Sequence, residues 1–207
     1  MNLALERIVV HEKGRQDYLA TLRAMREFTS KRDEHTADEI WLVEHPPVYT
    51  LGQGADGVAV ENGIPVVRSD RGGDITYHGP GQVVLYALID LARRAIKVKR
   101  FVWLLEQAVI DFLARSSIRA ERREGAPGVY VDGAKIAALG IRVSRGRAYH
   151  GLALNVDMDL RPFSAIDPCG YPGLQVTRMR DLGLMADVGL VGKDLADHLI
   201  SLLEKNA

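Results

Sequence analysis

The 207-residue sequence predicts one α+β domain, residues 1–207, with a mixed, largely antiparallel sheet and packed helices. Three observations predict it. Short strand-like runs bounded by Gly and Pro recur along the whole chain. Three segments carry apolar residues at helical spacing. Two turn signals, Asp132-Gly133 and SRGR (144–147), join neighbouring strand-like runs directly, as antiparallel hairpins do.

In chain order, LERIVV (5–10) has strand composition. Tyr18, Leu19, Leu22, Met25 and Phe28 then mark an amphipathic helix over 15–32. EIWLVEH (39–45) and VYTL (48–51) read as strands parted by Pro46 and Pro47, and IPVVRS (64–69) as a further short strand. QVVLYALIDL (82–91) is apolar at nearly every position and reads as a strand buried on both faces. Phe101, Leu104, Leu105, Ala108, Phe112 and Leu113 place a second helix over 100–115. GVYV, Asp132-Gly133 and AKIAALGIRV form the first hairpin, and the SRGR turn leads into AYHGLALNVDM. Leu195, Leu199, Leu202 and Leu203 belong to a last helix.

Lys plus Arg and Asp plus Glu number 27 each, so the formal charge is zero. That argues against a nucleic-acid partner bound through a strongly basic surface. A single cysteine cannot form an intramolecular disulfide, which fits a reducing compartment. The N-terminus lacks a basic segment followed by a long apolar one, and no apolar run approaches the ~20 residues of a membrane helix. A soluble, cytoplasmic protein without a membrane partner is expected.

GQGADG (52–57) matches G-x-G-x-x-G, but Gly63 and Pro65 follow where a dinucleotide site needs a helix N-terminus, so a turn is the better reading. The six histidines show no H-x-x-x-H pattern, there is no C-x-x-C, and no metal is expected. RGGDITYHGPGQVVLY (71–86) concentrates Gly72, Gly73, Gly79 and Gly81 among Arg71, Thr76, Tyr77 and His78. Glycines let backbone approach a ligand, and such a loop between apolar strands reads as a binding loop or as a cluster of structural turns. In GAKIAALGIRV (133–143), strand alternation groups Lys135 with Ala137, Leu139 and Ile141. A lysine on an apolar face either reaches water past the Asp132-Gly133 turn or has a function. Cys169 lies between Pro168 and Gly170, which places it in a loop rather than a packed core. As a nucleophile it would need a neighbouring cation or base, and His78, His150 and Lys135 are candidates.

Three stretches, 71–86, 133–160 (GAKIAALGIRVSRGRAYHGLALNVDMDL) and PCGY (168–171), together resemble the lipoyl(octanoyl) transferase family in order and spacing, over about residues 41 to 182. The resemblance implies the fold of biotin and lipoate protein ligases. It implies Cys169 as acyl-thioester nucleophile and Lys135 as its catalytic partner. It implies substrate contacts from Arg71, Gly72, Gly73, Asp74, Ile75, Thr76, Tyr77 and His78, from Ala138, Leu139 and Gly140, and from Gly151, Leu152 and Ala153. The donor would be octanoyl-acyl carrier protein. The acceptors would be lysines of lipoyl domains in 2-oxoacid dehydrogenase complexes and of the glycine cleavage H protein. No cofactor is implied, because a thioester is already activated. Carrier proteins of this kind are acidic, so RRAIKVKR (93–100) or the cluster of Arg119, Arg122 and Arg123 would dock the donor. An ATP-dependent ligase on the same fold would need no cysteine, and a non-catalytic acyl-binding module would need neither Cys169 nor Lys135.

Overall fold

A computed structural model describes residues 7–55, 60, 62–166 and 173–206. Cys169 therefore lies outside the described residues, as do residues 56 and 57 of the GQGADG stretch. The larger sheet is built from β1 (Ile8–Arg15), β2 (Asp38–Glu44), β6 (Gln82–Asp90), β7 (Gly128–Val131), β8 (Ala134–Ser144) and β9 (Arg147–Asn155), in the order β1-β2-β6-β9-β8-β7. Only the β1–β2 pair is parallel. A smaller sheet, β4-β3-β5, uses β3 (Val48–Leu51), β4 (Val66–Arg68) and β5 (Ile75–His78).

Both hairpins form as the turn residues dictate. Asp132 and Gly133 have φ of 49° and 83°, and Arg145 and Gly146 have φ of 50° and 77°. Two consecutive left-handed residues define the turn whose twist matches flanking strands. β6 is buried along its whole length, as its composition requires. Val83, Leu85, Ala87 and Ile89 face a core under α2 (Val98–Ala114) and α3 (Val188–Glu204). Val84, Tyr86 and Leu88 face α1 (Tyr18–Lys31) on the other side. Asp17 caps α1, its carboxylate accepting from Ala20 N–H at 2.8 Å, and Asp187 caps α3 the same way through Leu190 N–H. No helix among the described residues is long and apolar enough to cross a membrane.

The first strand lies later than its composition suggested, running from Ile8 to Arg15 beside β2. Three basic residues expected at the surface, Arg93, Arg94 and Arg122, are tied down instead. Asp38, fully buried, accepts from Arg32 at 2.6 Å, Arg93 at 2.8 Å, Arg94 at 2.6 Å and the backbone N–H of Asp90 at 2.8 Å. This cluster joins the end of α1 to β2 and to the end of β6. Arg122 likewise turns inward, to Glu106 of α2 at 2.9 Å. Charge runs read along a sequence do not reveal such partners, because the carboxylates of Arg93, Arg94 and Arg122 lie 16 to 56 positions away.

Candidate active site

A cavity opens on the α1 side of the larger sheet. Its walls are small: Ala138 and Gly140 of β8, paired with Ala153 and Gly151 of β9, and Val84 of β6 beyond them. The Arg71–Gly73 segment lies against β8, its Gly72 N–H donating to Ile141 O at 2.9 Å. A Cβ at Gly140 would sit 2.9 Å from Gly72 O, so only glycine lets the segment pack this closely. Arg71 is buried, its guanidinium donating to Thr50 and to Gly72 O, which fixes the loop from within. Thr76 and His78 line the cavity, whereas Ile75 and Tyr77, the alternate residues of β5, point into a separate core with Tyr49 and Phe163. Of the residues expected in the site, Gly73, Asp74, Leu139 and Leu152 also line the cavity.

Lys135 sits at the margin of this site, only 3% exposed, so its side chain does not reach past the turn to water. Its face differs from the one that alternation predicted. The β7–β8 register shifts between Val129 and Tyr130, and this bulge places both Ile136 and Ala137 in the helix-side core. Lys135 thus parts from Ala137, Leu139 and Ile141 and lies on the face of its partner Tyr130, with Nζ 5.3 Å from that ring's centroid. Nζ donates to Pro127 O at 3.3 Å. Gly128 makes room for it, since a Cβ there would lie 2.9 Å from Lys135 Cε. Glu106 holds Gly128 in place, accepting its N–H at 3.1 Å.

The chain at Gln175 and Thr177 is stitched to Lys135. Lys135 N–H donates to Gln175 O at 2.8 Å, and Thr177 N–H donates to Lys135 O at 3.0 Å. A line of amides continues inward. Asn155 donates to Thr177 O, Gln82 donates to Asn155, and the Gln82 carbonyl meets His78 Nδ1 at 2.7 Å. His78 Nδ1 is therefore protonated and donating.

Tyr18, His78, Tyr86 and His150, all buried, also line the cavity. His45 stands behind them, bonded to the Tyr86 hydroxyl at 2.7 Å. Burial, reinforced by His45, pulls His78 down to about 3. Burial lowers His45 and His150 too. The three rings stay neutral when folded, whereas the unfolded chain protonates its histidines below about 6.5. Stability is therefore expected to fall as pH drops from about 6.5 toward 3, with His78 alone contributing roughly 1.4 kcal/mol per pH unit in that window. Urea titrations at pH 7.5 and pH 5 check this. The midpoint should be lower at pH 5, and His78→Gln should shrink the difference; identical midpoints would contradict neutral rings.

Sequence reasoning raised His150 as a possible partner for Cys169, or else as a substrate-site residue, and did not find its own partner, Asp70. Burial alone would push the Asp70 carboxyl up. Hydrogen bonds from His150 at 2.8 Å, Tyr149 at 2.7 Å and Arg26 at 2.9 Å outweigh it and hold the group well below the usual carboxylate range. His150 also has φ of +63°, rare for a residue with a side chain and typically worth 1–3 kcal/mol of strain. Tyr18, Tyr86 and Gln82 are further contributors with no local signal beyond their place in strongly apolar or helical runs.

The profile of the lipoyl protein ligase A/B catalytic domain family matches residues 17–199. An octanoyltransferase of Azoarcus sp. (strain BH72) is 60% identical over 199 residues, covering 95% of this chain and 88% of that protein. One from Dechloromonas aromatica (strain RCB) is 55% identical, covering 95% and 97%. Among solved structures, lipoate-protein ligase A bound with ATP aligns with a TM-score of 0.73 at 15% identity, covering 97% of this chain and 84% of that one. The Aquifex aeolicus biotin protein ligase in complex with biotin and ATP aligns with a TM-score of 0.62 at 10% identity, covering 96% and 71%. These structures establish the fold that the resemblance implied. The small-walled cavity, the buried lysine beside it and the curated relatives agree: the chain belongs to the octanoyltransferase family, enzymes of protein lipoylation on the lipoate and biotin ligase fold.

Proposed function

We propose that this cytoplasmic enzyme takes an octanoyl group from octanoyl-acyl carrier protein and passes it to a lysine amine of lipoyl domains, through a thioester on Cys169. The observation that carries the reading is the buried Lys135, packed against Gly128, whose strand partner Ala138 belongs to a cavity wall of small residues on β8 and β9. In the first half-reaction the Cys169 thiolate attacks the donor carbonyl. The bond to the pantetheine sulfur breaks, and that sulfur leaves with a proton. In the second, the acceptor amine attacks the Cys169 thioester, an amide forms, and the Cys169 sulfur is released. Splitting a three-partner reaction this way gives ping-pong kinetics.

Lys135 has two roles in this reading. As an ammonium it favours the Cys169 thiolate, and as an amine it takes the proton of the attacking lysine. The small-residue walls suit an extended alkyl chain, and eight carbons at ~0.8 kcal/mol per buried CH₂ supply several kcal/mol of binding. Glycines 73, 140 and 151 let backbone form those walls, and Gly72 packs against Gly140 beside them. Since Arg93, Arg94 and Arg122 are engaged internally, docking of an acidic carrier falls to the exposed Lys97, Lys99 and Arg119.

Intact-mass spectrometry after mixing with octanoyl carrier tests the mechanism. One octanoyl adduct is expected, labile to hydroxylamine and localised to Cys169. Transfer to the acceptor without any adduct under single-turnover conditions would overturn the covalent route.

A further inference from the structure

We propose, resting on the octanoyl-transfer reading above, that His150 is the polar end wall of the acyl slot and sets the chain length the enzyme accepts. Four independent features of the structure converge on this ring.

The first is its backbone. Tyr149 and Ala153 pack on the α1 side of the sheet, and Gly151 lines the cavity on that side. Simple alternation would send His150 into the opposite, helix-side core. Its positive φ swings the ring back, stacked on Tyr149 at 5.0 Å and edge-on to Tyr86 at 6.0 Å, so that it lines the cavity. Gly151 accommodates the distortion: a Cβ there would collide with Leu85 O of β6. Strain of this kind persists only where the surroundings enforce it, and it clusters at working sites.

The second is the partner. Asp70 is ionised, so His150 Nε2 carries the proton and donates to it at 2.8 Å. Nδ1 is left as a lone pair. The third is that this Nδ1 is buried and has no hydrogen-bond partner among the described residues, although the ring is only 1% exposed. An acceptor so placed at the end of an apolar slot penalises a chain that covers it and rewards a donor that meets it.

The fourth is distance. Lys135 Nζ lies against Gly128, which pairs with Ala138, while His150 pairs with Ile141. The two points are three residues apart along the strands and two strands apart across them. At ~3.4 Å per residue and ~4.8 Å per strand the diagonal is about 14 Å. Allowing about 4 Å between Nζ and the reacting carbonyl leaves about 10 Å. An extended octanoyl chain, with C–C bonds of about 1.5 Å in a zigzag, spans about 9 Å. A longer chain runs into His150.

The test uses the intact enzyme and carriers loaded with different acyl chains, reading formation of acyl-enzyme. Wild type should acylate with dodecanoyl at least about 50-fold more slowly than with octanoyl. Asn tolerates positive φ better than most residues, so His150→Asn keeps the backbone while removing the ring. It should narrow that gap at least tenfold. Ala138→Val, at the opposite end of the slot, should slow all chains alike and leave the ratio where it was. A wild-type measurement needs no folded variant: 8-hydroxyoctanoyl and nonanoyl have equal length, and the hydroxyl can donate to Nδ1. The two should react within about threefold. Rejection of the hydroxylated chain by thirtyfold or more would overturn the proposal, as would an unchanged dodecanoyl-to-octanoyl ratio in His150→Asn. Those outcomes leave the transfer reading intact, whereas absence of an acyl-enzyme with every chain would remove that reading itself.

Discussion

Lys135→Met is expected to lower kcat/KM for octanoyl transfer by about 10³-fold or more, the upper range for loss of a positioned acid–base group. The effect should fall on both half-reactions. Acylation from the carrier loses the cation that favours the thiolate, and transfer to the amine loses the proton acceptor. Met keeps the length and bulk of the side chain beside Gly128 and the Tyr130 ring. The melt then reports separately on what the substitution costs the fold, including the hydrogen bond that Lys135 Nζ donates to Pro127 O. Single-turnover rates of both half-reactions and a thermal melt check this together. A drop in rate of less than tenfold, with the melt unchanged, would show that the reaction does not depend on Lys135.

Asp38→Ala is expected to be the most destabilising single change away from the site. It removes the one carboxylate to which Arg32, Arg93 and Arg94 all donate, and it orphans the Asp90 N–H. Removing one side of a buried ion cluster costs about 3–5 kcal/mol, a large share of the 5–15 kcal/mol that holds a domain together. The change should appear as a lower urea midpoint, with activity per folded molecule retained because the cluster joins α1, β2 and β6 rather than lining the cavity. Asp38 also makes the effect pH-dependent. Burial pushes its carboxyl up, but the Asp90 N–H and the guanidinium groups of Arg32 and Arg94 win and lower it. Its contribution is present above the ordinary carboxylate range and is lost as pH falls through the lowered value.

Much of this architecture is legible in local sequence. The apolar run at 82–91 becomes the central strand of the larger sheet, and both hairpin turns carry residues that tolerate φ > 0. The glycine-rich stretch at 71–78 supplies the loop over β8 and one wall of the cavity. What stayed hidden depends on backbone torsions or distant partners. Alternation put Lys135 on the wrong face, because a bulge one rung away is invisible to a two-residue period. Nothing near residue 150 announces a left-handed histidine, and nothing near Asp70 announces that three side chains from α1 and β9 converge on it. The basic run at 93–100 suggested a surface, but two of its arginines answer to a carboxylate more than fifty positions earlier.

The pairing of Lys135 with Gln175 and Thr177 also has a statistical meaning. Gln175 lies six positions after Cys169, and a chain spans at most about 3.5 Å per residue, so covalent connection alone keeps the thiol within about 20 Å of the strand that carries the lysine. One group confined to a sphere of that radius has an effective concentration on the order of 50 mM. For the proposed Cys169–Lys135 chemistry, tethering Gln175 and Thr177 to the lysine's own backbone would make the encounter intramolecular and local.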